Sequence, residues 1–173
     1  MELTNLVDDK FFLPRLMRLQ ECLCEELEKA GGPSLCFCGL VPASRPPLAL
    51  MDCGKEGGCG VAWVAPVSAY PASSFPVPDE DGAFACASPM AMTVEVGIAR
   101  CHPRPRRGNA TLDPQDTFEA VRLYMSDMAA TRRAILCCFA RTPDEEYQAS
   151  LTSWAPMDPE AGVSGGSWTA VIG

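Results

Sequence analysis

The residues best placed to do chemistry lie in "LCFCGLVPASRPPLALMDCGKEGGCG", residues 35–60, which holds Cys36, Cys38, Cys53 and Cys59. Cysteines in a Gly- and Pro-rich segment can ligate zinc, form disulfides or act as nucleophiles. Structural zinc prefers two close pairs with about two to four residues inside each. Here Cys36 and Cys38 enclose one residue, Cys53 and Cys59 enclose five, and no histidine is near. The spacing argues against a metal site. A disulfide needs Cα atoms within about 7 Å and converging Cβ vectors. On a helix Cys22 and Cys24 sit about 200° apart, so they cannot pair with each other. In an extended chain Cys36 and Cys38 point the same way at about the limiting distance, so each should find its partner elsewhere. Cys137 and Cys138 are neighbours at a helix end and should also look to different partners. We expect one or more disulfides in the mature protein, with Cys36, Cys38, Cys53 and Cys59 the foremost candidates. That many of the ten cysteines are simply small buried apolar side chains is the alternative left open.

Nucleophilic catalysis finds less support. "GVSGG", Gly162 to Gly166, matches the G-x-S-x-G pattern, but a hydrolase elbow is followed by a helix and a later histidine. Seven residues follow Gly166 and none is histidine. The same stretch faintly resembles the nucleophile region of chymotrypsin-like proteases, which need an early histidine motif that this chain lacks. A flexible Gly-rich turn before a strand fits better. The single histidine, His102, stands beside Cys101, and sequence neighbours do not make a catalytic dyad. No Walker loop, G-x-G-x-x-G or H-E-x-x-H occurs. The pair Glu145 and Glu146 reads as an exposed acidic turn. The expectation is a non-enzymatic protein with no catalytic residue, no cofactor and no metal.

The chain has 173 residues, a net charge of −8 and a hydrophobic fraction of 47%. That is one globular domain with a real core. An acidic chain is a poor default partner for nucleic acid or an anionic membrane. Basic charge concentrates in "RCHPRPRR", Arg100 to Arg107, which reads first as a solvated Pro-rich loop and more sharply as a polyanion contact through Arg104, Arg106 and Arg107. No signal peptide and no run of about 18 apolar residues is visible, so synthesis in the cytosol and no membrane span are expected. Ten cysteines are unusual there, unless the protein later meets oxidising surroundings. The sequon at Asn109 means little without secretion.

The elements that must position these residues are legible in part. Phe12, Leu16, Leu19, Leu23 and Leu27 share one face of a helix over about 10–30, capped by Asp8 or Asp9 and ended by Gly31, Gly32 and Pro33. A Cys-rich loop spans 31–60. A strand follows around Val61 to Val64 and continues to Tyr70, with Pro66 marking an edge or a bulge. Residues 71–89 read as a Pro-rich loop or arm. Met92, Val94, Val96 and Ile98 alternate with Thr93, Glu95 and Gly97, the cleanest strand. A second helix starts at Asp113 and Pro114 and runs to about Phe139, with Phe118, Val121, Met125 and Met128 as its expected inner face, Met125 and Met128 packing beside Val94 and Val96. Short strands around 147–154 and 168–172 complete the chain. The order predicts a single α+β domain over 1–173: a mostly antiparallel sheet with two helices packed on one face.

Several segments in combination, "CLCEELEKAGGPSLCFCG", "CGVAWVAPVSAYP", "MTVEVGIARCHP", "DMAATRRAILCC" and "GVSGGSW", resemble a family of small structural proteins of actinobacterial long-tailed phages, encoded among the head and tail assembly genes. The resemblance covers about residues 16–172. The element order is similar to the tail-terminator fold. The resemblance implies a virion protein of the neck or tail, assembled in the host cytoplasm. Such a protein would form a homohexameric ring that caps the tail tube, touching the major tail tube protein and the head-to-tail connector or stopper proteins. DNA would be only passing cargo, and Arg104, Arg106 and Arg107 would face it or an acidic neighbour. A head-to-tail stopper or adaptor is the neighbouring possibility. An unrelated non-enzymatic binding module is a separate one. The long loop at 71–89 would be an insertion relative to a minimal terminator.

Overall fold

The computed structural model describes residues 9–42, 47–51, 53, 58–80, 88–101, 113–141, 147–157 and 162–173. The first helix, α1, spans Phe12–Ala30. The Asp9 carboxylate starts it by accepting the amides of Phe11, Phe12 and Leu13 at 2.9, 3.1 and 3.1 Å. Those amides have no partner inside the helix, so one side chain satisfies three of them. Gly31 ends it with φ of 73° and ψ of −172°, a positive-φ conformation that costs glycine little. Leu16, Leu19, Leu23 and Leu27 form the buried face together with Cys22. Each such leucine contributes about 1.5–3 kcal/mol by leaving water.

Five strands follow: β1 (Phe37–Leu40), β2 (Gly60–Pro71), β3 (Met90–Cys101), β4 (Ala149–Pro156) and β5 (Val163–Ile172). They form one sheet in the order β1-β2-β3-β5-β4. Only β1 runs parallel to its neighbour, and the other three pairings are antiparallel. The protein is therefore an α+β domain. On β3 the residues Met92, Val94, Val96 and Ile98 are buried beneath the helices, and Ala62 and Val64 of β2 and Ala170 and Ile172 of β5 join the same core. Both helices pack on this face.

The edge strand β1 lies inside the segment that the sequence presents as a Cys-rich loop. Four residues, one of them glycine, carry too little alternation to reveal a strand. It pairs Phe37–Leu40 with Val61–Val64, so the rest of β2 lies beyond its reach on that side. Pro66 sits there, next to a register shift between Pro66 and Ser68, where a missing amide is tolerated. Two parallel neighbours also need a long crossover. Residues 41–59 supply it, and their described part packs on the face away from the helices: Met51, with half-buried Val41 and Cys59, lies against Val61, Trp63, Ala65, Ala99 and Val163. Trp63 fills this second face. A Cβ on Gly97 would come within 2.2 Å of its ring, so glycine at 97 makes the floor on which the indole lies.

The described part of the Pro-rich segment, residues 72–80, folds back on itself. Ser74 bridges Val77, the Tyr70 hydroxyl donates to the Pro76 carbonyl at 3.0 Å, and Phe75 packs on Ala72, Ala91 and Val171.

The second helix, α2, spans Pro114–Arg133 and continues as a π turn over Ala134–Cys138 and a 3-10 turn over Phe139–Arg141. Asp113 caps it, accepting the Gln115 amide at 2.9 Å. Its orientation corrects the expectation from the sequence. Phe118, Val121 and Met125 are 57%, 53% and 49% exposed and point away from the sheet. The inner face holds Asp127, Ala130, Thr131, Ala134 and Ile135, all buried. Small residues let the helix lie close, and one polar residue answers a polar partner beneath, so a count of large apolar side chains selects the wrong stripe. The π turn then brings both Cys138 and Phe139 inward: Phe139 is fully buried, and Cys138 reaches α1. Accordingly, Met125→Asp should leave the thermal transition close to that of the parent. Ile135→Asp should abolish the folded state, because it buries an unpaired charge. Circular dichroism melting of the two variants checks both outcomes.

Candidate functional site: a cross-linked joint around a buried Arg–Asp pair

Among the described residues four disulfides are formed: Cys22–Cys138, Cys24–Cys38, Cys36–Cys53 and Cys59–Cys101, with Cα–Cα distances of 5.6, 5.9, 5.0 and 5.6 Å. All four loop cysteines singled out in the sequence take part. Cys22 and Cys24 diverge, as do Cys36 and Cys38. Of the adjacent pair at the helix end, Cys138 is bonded and Cys137 is an exposed free thiol. Cys86 lies outside the described residues. Cys22–Cys138 joins the two helices through the core and closes a separation of 116 residues. Cys24–Cys38 ties α1 to β1, Cys36–Cys53 ties the start of β1 to the crossover, and Cys59–Cys101 ties the entry of β2 to the exit of β3. Cross-links of this kind contribute about 2–4 kcal/mol each, mainly by constraining the unfolded chain, and more for longer loops.

Within this frame stands a buried ion pair. The alternation of β3 continues one step past Ile98, which aims Arg100 at the helices. Arg100 and Asp127 are 5% and 4% exposed. The Arg100 Nε donates to Asp127 Oδ2 at 2.7 Å and Nη2 donates to Oδ1 at 3.0 Å. Nη1 donates to the carbonyl oxygen of Pro33. One guanidinium thus connects β3, α2 and the chain leaving α1. Gly32, with φ of 109°, leads the backbone to that carbonyl, and a Cβ there would meet Leu123 at 3.0 Å. Burial pushes the Asp127 carboxyl above the ordinary carboxylate range, and the two bonds from Arg100 act against that shift. Thr131 donates its hydroxyl to the carbonyls of Asp127 and Met128, which satisfies the polar atom that α2 buries one turn on.

A cavity of about 360 Å³ opens beside the pair, between the first half of α2 and the ends of β3 and β5. Its apolar wall includes Ile98 and Leu123, and Asp116, Glu119 and Tyr124 stand around it. The Trp154 Nε1 donates to the Tyr124 hydroxyl, and the Trp168 Nε1 donates to the Met128 carbonyl at 3.1 Å. Two indole N–H groups thereby fix α2 over β4 and β5. Nearer the molecular edge, Arg133 donates to Glu26 at 2.9 Å. With Lys29, it holds the Glu26 carboxyl below its usual range.

Several residues fall elsewhere than their sequence context suggests. Arg100 opens the basic stretch yet is a core residue, because the strand extends to Cys101. Arg104, Arg106 and Arg107 lie outside the described residues, as do His102 and the pair Glu145–Glu146. Ser164, Gly165 and Gly166 belong to β5 and not to a turn before it. Glycine is needed there by contact: a Cβ on Gly165 would lie 2.1 Å from the Ile98 carbonyl oxygen, and one on Gly166 would lie 2.6 Å from the Trp154 ring. The turn itself is at Gly162, with φ of 80°. Ser164 is therefore a strand residue, not one on a strand-to-helix elbow. Among the described residues no three His, Cys, Asp or Glu side chains converge as a metal site would require, and no helix is long and apolar enough to cross a membrane. No protein-family model matches the sequence, and no curated protein is similar to it.

The ion pair is the residue set that the sequence hid most fully. Its one signal is the β3 period, which places Arg100 in phase with four buried apolar residues. Asp127→Ala should destabilise the protein by about 3–5 kcal/mol, because it strands a buried guanidinium. Replacing both partners, Arg100→Met with Asp127→Leu, should recover most of that loss in urea denaturation. Equal losses in the single and double variants would show that the pair is not buried together. The cross-links have their own readout. Oxidised protein denatured with an alkylating agent present should show two free thiols at most, from Cys86 and Cys137, in intact-mass measurement. Ten alkylated cysteines would contradict the four bridges.

Proposed function

We propose that the protein is a structural component of a phage virion: a tail terminator that caps the tail tube as a ring and joins it to the head connector. The observation that carries this reading is the outward apolar stripe of α2, Phe118, Val121 and Met125, on a helical layer that also exposes Leu13 and Met17 of α1. A lone domain gains nothing by exposing large apolar residues on its two helices, whereas subunits of a ring bury such surface between unlike faces of neighbouring copies. The resemblance of the chain to small neck proteins of long-tailed phages supports the same function. The α+β architecture agrees with the terminator-like order of elements. Four disulfides suit a particle that persists outside cells. The partners in this reading are further copies of the chain, the tail tube protein and the connector or stopper proteins, with DNA passing through.

Imaging of the virion neck tests it. The expected density is a sixfold ring of this chain at the head end of the tail tube. A ring one position further toward the head would assign the stopper or adaptor role, and a lone copy or absence from the particle would overturn the proposal. In solution, Phe118→Asp combined with Val121→Asp should yield a folded monomer that no longer enters the ring. Neutralising Arg104, Arg106 and Arg107 together should impair head–tail joining and leave the melting temperature unchanged.

A further inference from the structure

The two edges of the sheet are finished in different ways. On one side β1 is four residues long and pairs with the first part of β2. Past β1, the edge of β2 is blunted. Pro66 and Pro71 lack amides, the register shifts between Pro66 and Ser68, and the Pro71 carbonyl accepts the Asp79 amide at 3.0 Å. Short strands, prolines and bulges keep a sheet edge from pairing with another chain. On the other side, a register shift after Leu151 and Pro156 interrupt the second half of β4, but its first half is open. Gln148 and Gly173 exchange both backbone bonds at 3.1 Å, and Ser150 stands opposite Val171. The alternation of an antiparallel ladder therefore turns the N–H and C=O groups of Ala149 and Leu151 away from β5. Among the described residues nothing bonds to them. Residues 147–157 carry no charge that would repel a strand laid alongside. A cation without an acid stands at the start of this edge. The Arg15 guanidinium lies 3.8 Å from the centroid of the Phe11 ring and 5.2 Å from that of Tyr147, two residues before Ala149. Its Nη1 donates to the Phe11 carbonyl at 2.9 Å, and its Nε is buried with no acceptor. The nearby Asp9 carboxylate is taken up by three helix amides, and no described carboxylate forms an ion pair with Arg15.

We propose that the β4 edge docks an extended segment of another protein, which adds to the sheet as an antiparallel strand beside Ala149 and Leu151 and brings a carboxylate to Arg15. The backbone of the segment supplies acceptors and donors for both outward residues, and its side chains alternate between the two faces. On the helical face its residues lie next to Ala149 and Leu151, which pack half-buried against the core, so small apolar side chains fit there. On the other face its neighbours are Ser150 and Thr152, which favour polar ones. Antiparallel addition sets the C-terminal end of the segment opposite Tyr147, so the acid belongs at that end. A second copy of β4 is the wrong occupant, because residues 147–157 contain no acid to offer Arg15. This inference rests on the sheet edge and on Arg15, and it stands apart from the virion reading.

NMR titration of the whole oxidised chain tests it. The probe is a short blocked peptide of alternating threonine and valine with glutamate next to its C-terminus, and the control carries lysine in place of the glutamate. The glutamate peptide should shift the backbone amides of Ala149 and Leu151 and slow their hydrogen exchange several-fold, with the amides of β1 unchanged. The lysine peptide should bind about tenfold more weakly, as loss of one charge-assisted contact implies. Ala149→Pro removes an outward amide at a position where an edge strand tolerates proline, so it should abolish binding and leave the melting temperature unchanged. Arg15→Gln should equalise the two peptides. Ala149 and Leu151 amides that do not respond to the glutamate peptide at millimolar concentration would overturn the proposal, as would equal affinity for the two peptides in the parent protein. Protection of the same amides in the protein alone as its concentration rises would also overturn it, because the edge would then pair with its own copy.

Discussion

The Arg100 guanidinium is the joint on which the arrangement of the helical layer depends. It extends the buried face of the central strand with a charge, and a buried charge tolerates few surroundings. Two bonds to Asp127 and one to the Pro33 carbonyl satisfy it. Any other rotation of α2 would strand Arg100 in the core without its carboxylate, even if it buried Phe118, Val121 and Met125. The pair therefore acts more on specificity than on total stability, since a well-packed apolar pair could supply the latter. It selects the polar, small-residue stripe of α2 as the inner face and turns the large apolar stripe outward. The outward stripe in turn motivates the proposed contact between subunits.

Around this joint the cross-links divide the labour between the two faces of the sheet. Cys22–Cys138 crosses between helices that already share a core, so it reinforces packing that exists without it. The bridges at β1 and the crossover act where packing is thin. They hold an edge strand of four residues and the start and end of the crossover that follows it. Glycines complete the same economy of space: Gly97 under Trp63 and Gly166 under Trp154 let indole rings lie flat on the sheet. The face away from the helices is consequently closed around Trp63, although no helix covers it.

Much of this was legible in the sequence. The leucine period of α1, the Asp113–Pro114 start of α2 and the alternation of β3 each rest on local rules, and local rules suffice for elements that bury one apolar stripe. The four-residue β1 was not legible, because a short edge strand is defined by its neighbour and not by its own pattern. The inner face of α2 was misread for a reason that is physical: its polarity answers Arg100, which is 27 residues away along the chain. The strand residues Gly165 and Gly166 resemble a turn for the same reason, since their need for glycine comes from Ile98 and Trp154. The cysteines gave the exclusions correctly, from helix and strand geometry. Their partners required the fold.

The most direct test of this account is hydrogen exchange of arginine side chains followed by NMR. Arg100 Nε–H is donated to a carboxylate in the interior, so it should exchange far more slowly than the Nε–H of an exposed arginine such as Arg122 or Arg132. Its protection should vanish in Asp127→Asn while backbone amides of β3 remain protected. If no arginine Nε–H is protected in the parent protein, the joint is absent and the orientation assigned to α2 is contradicted.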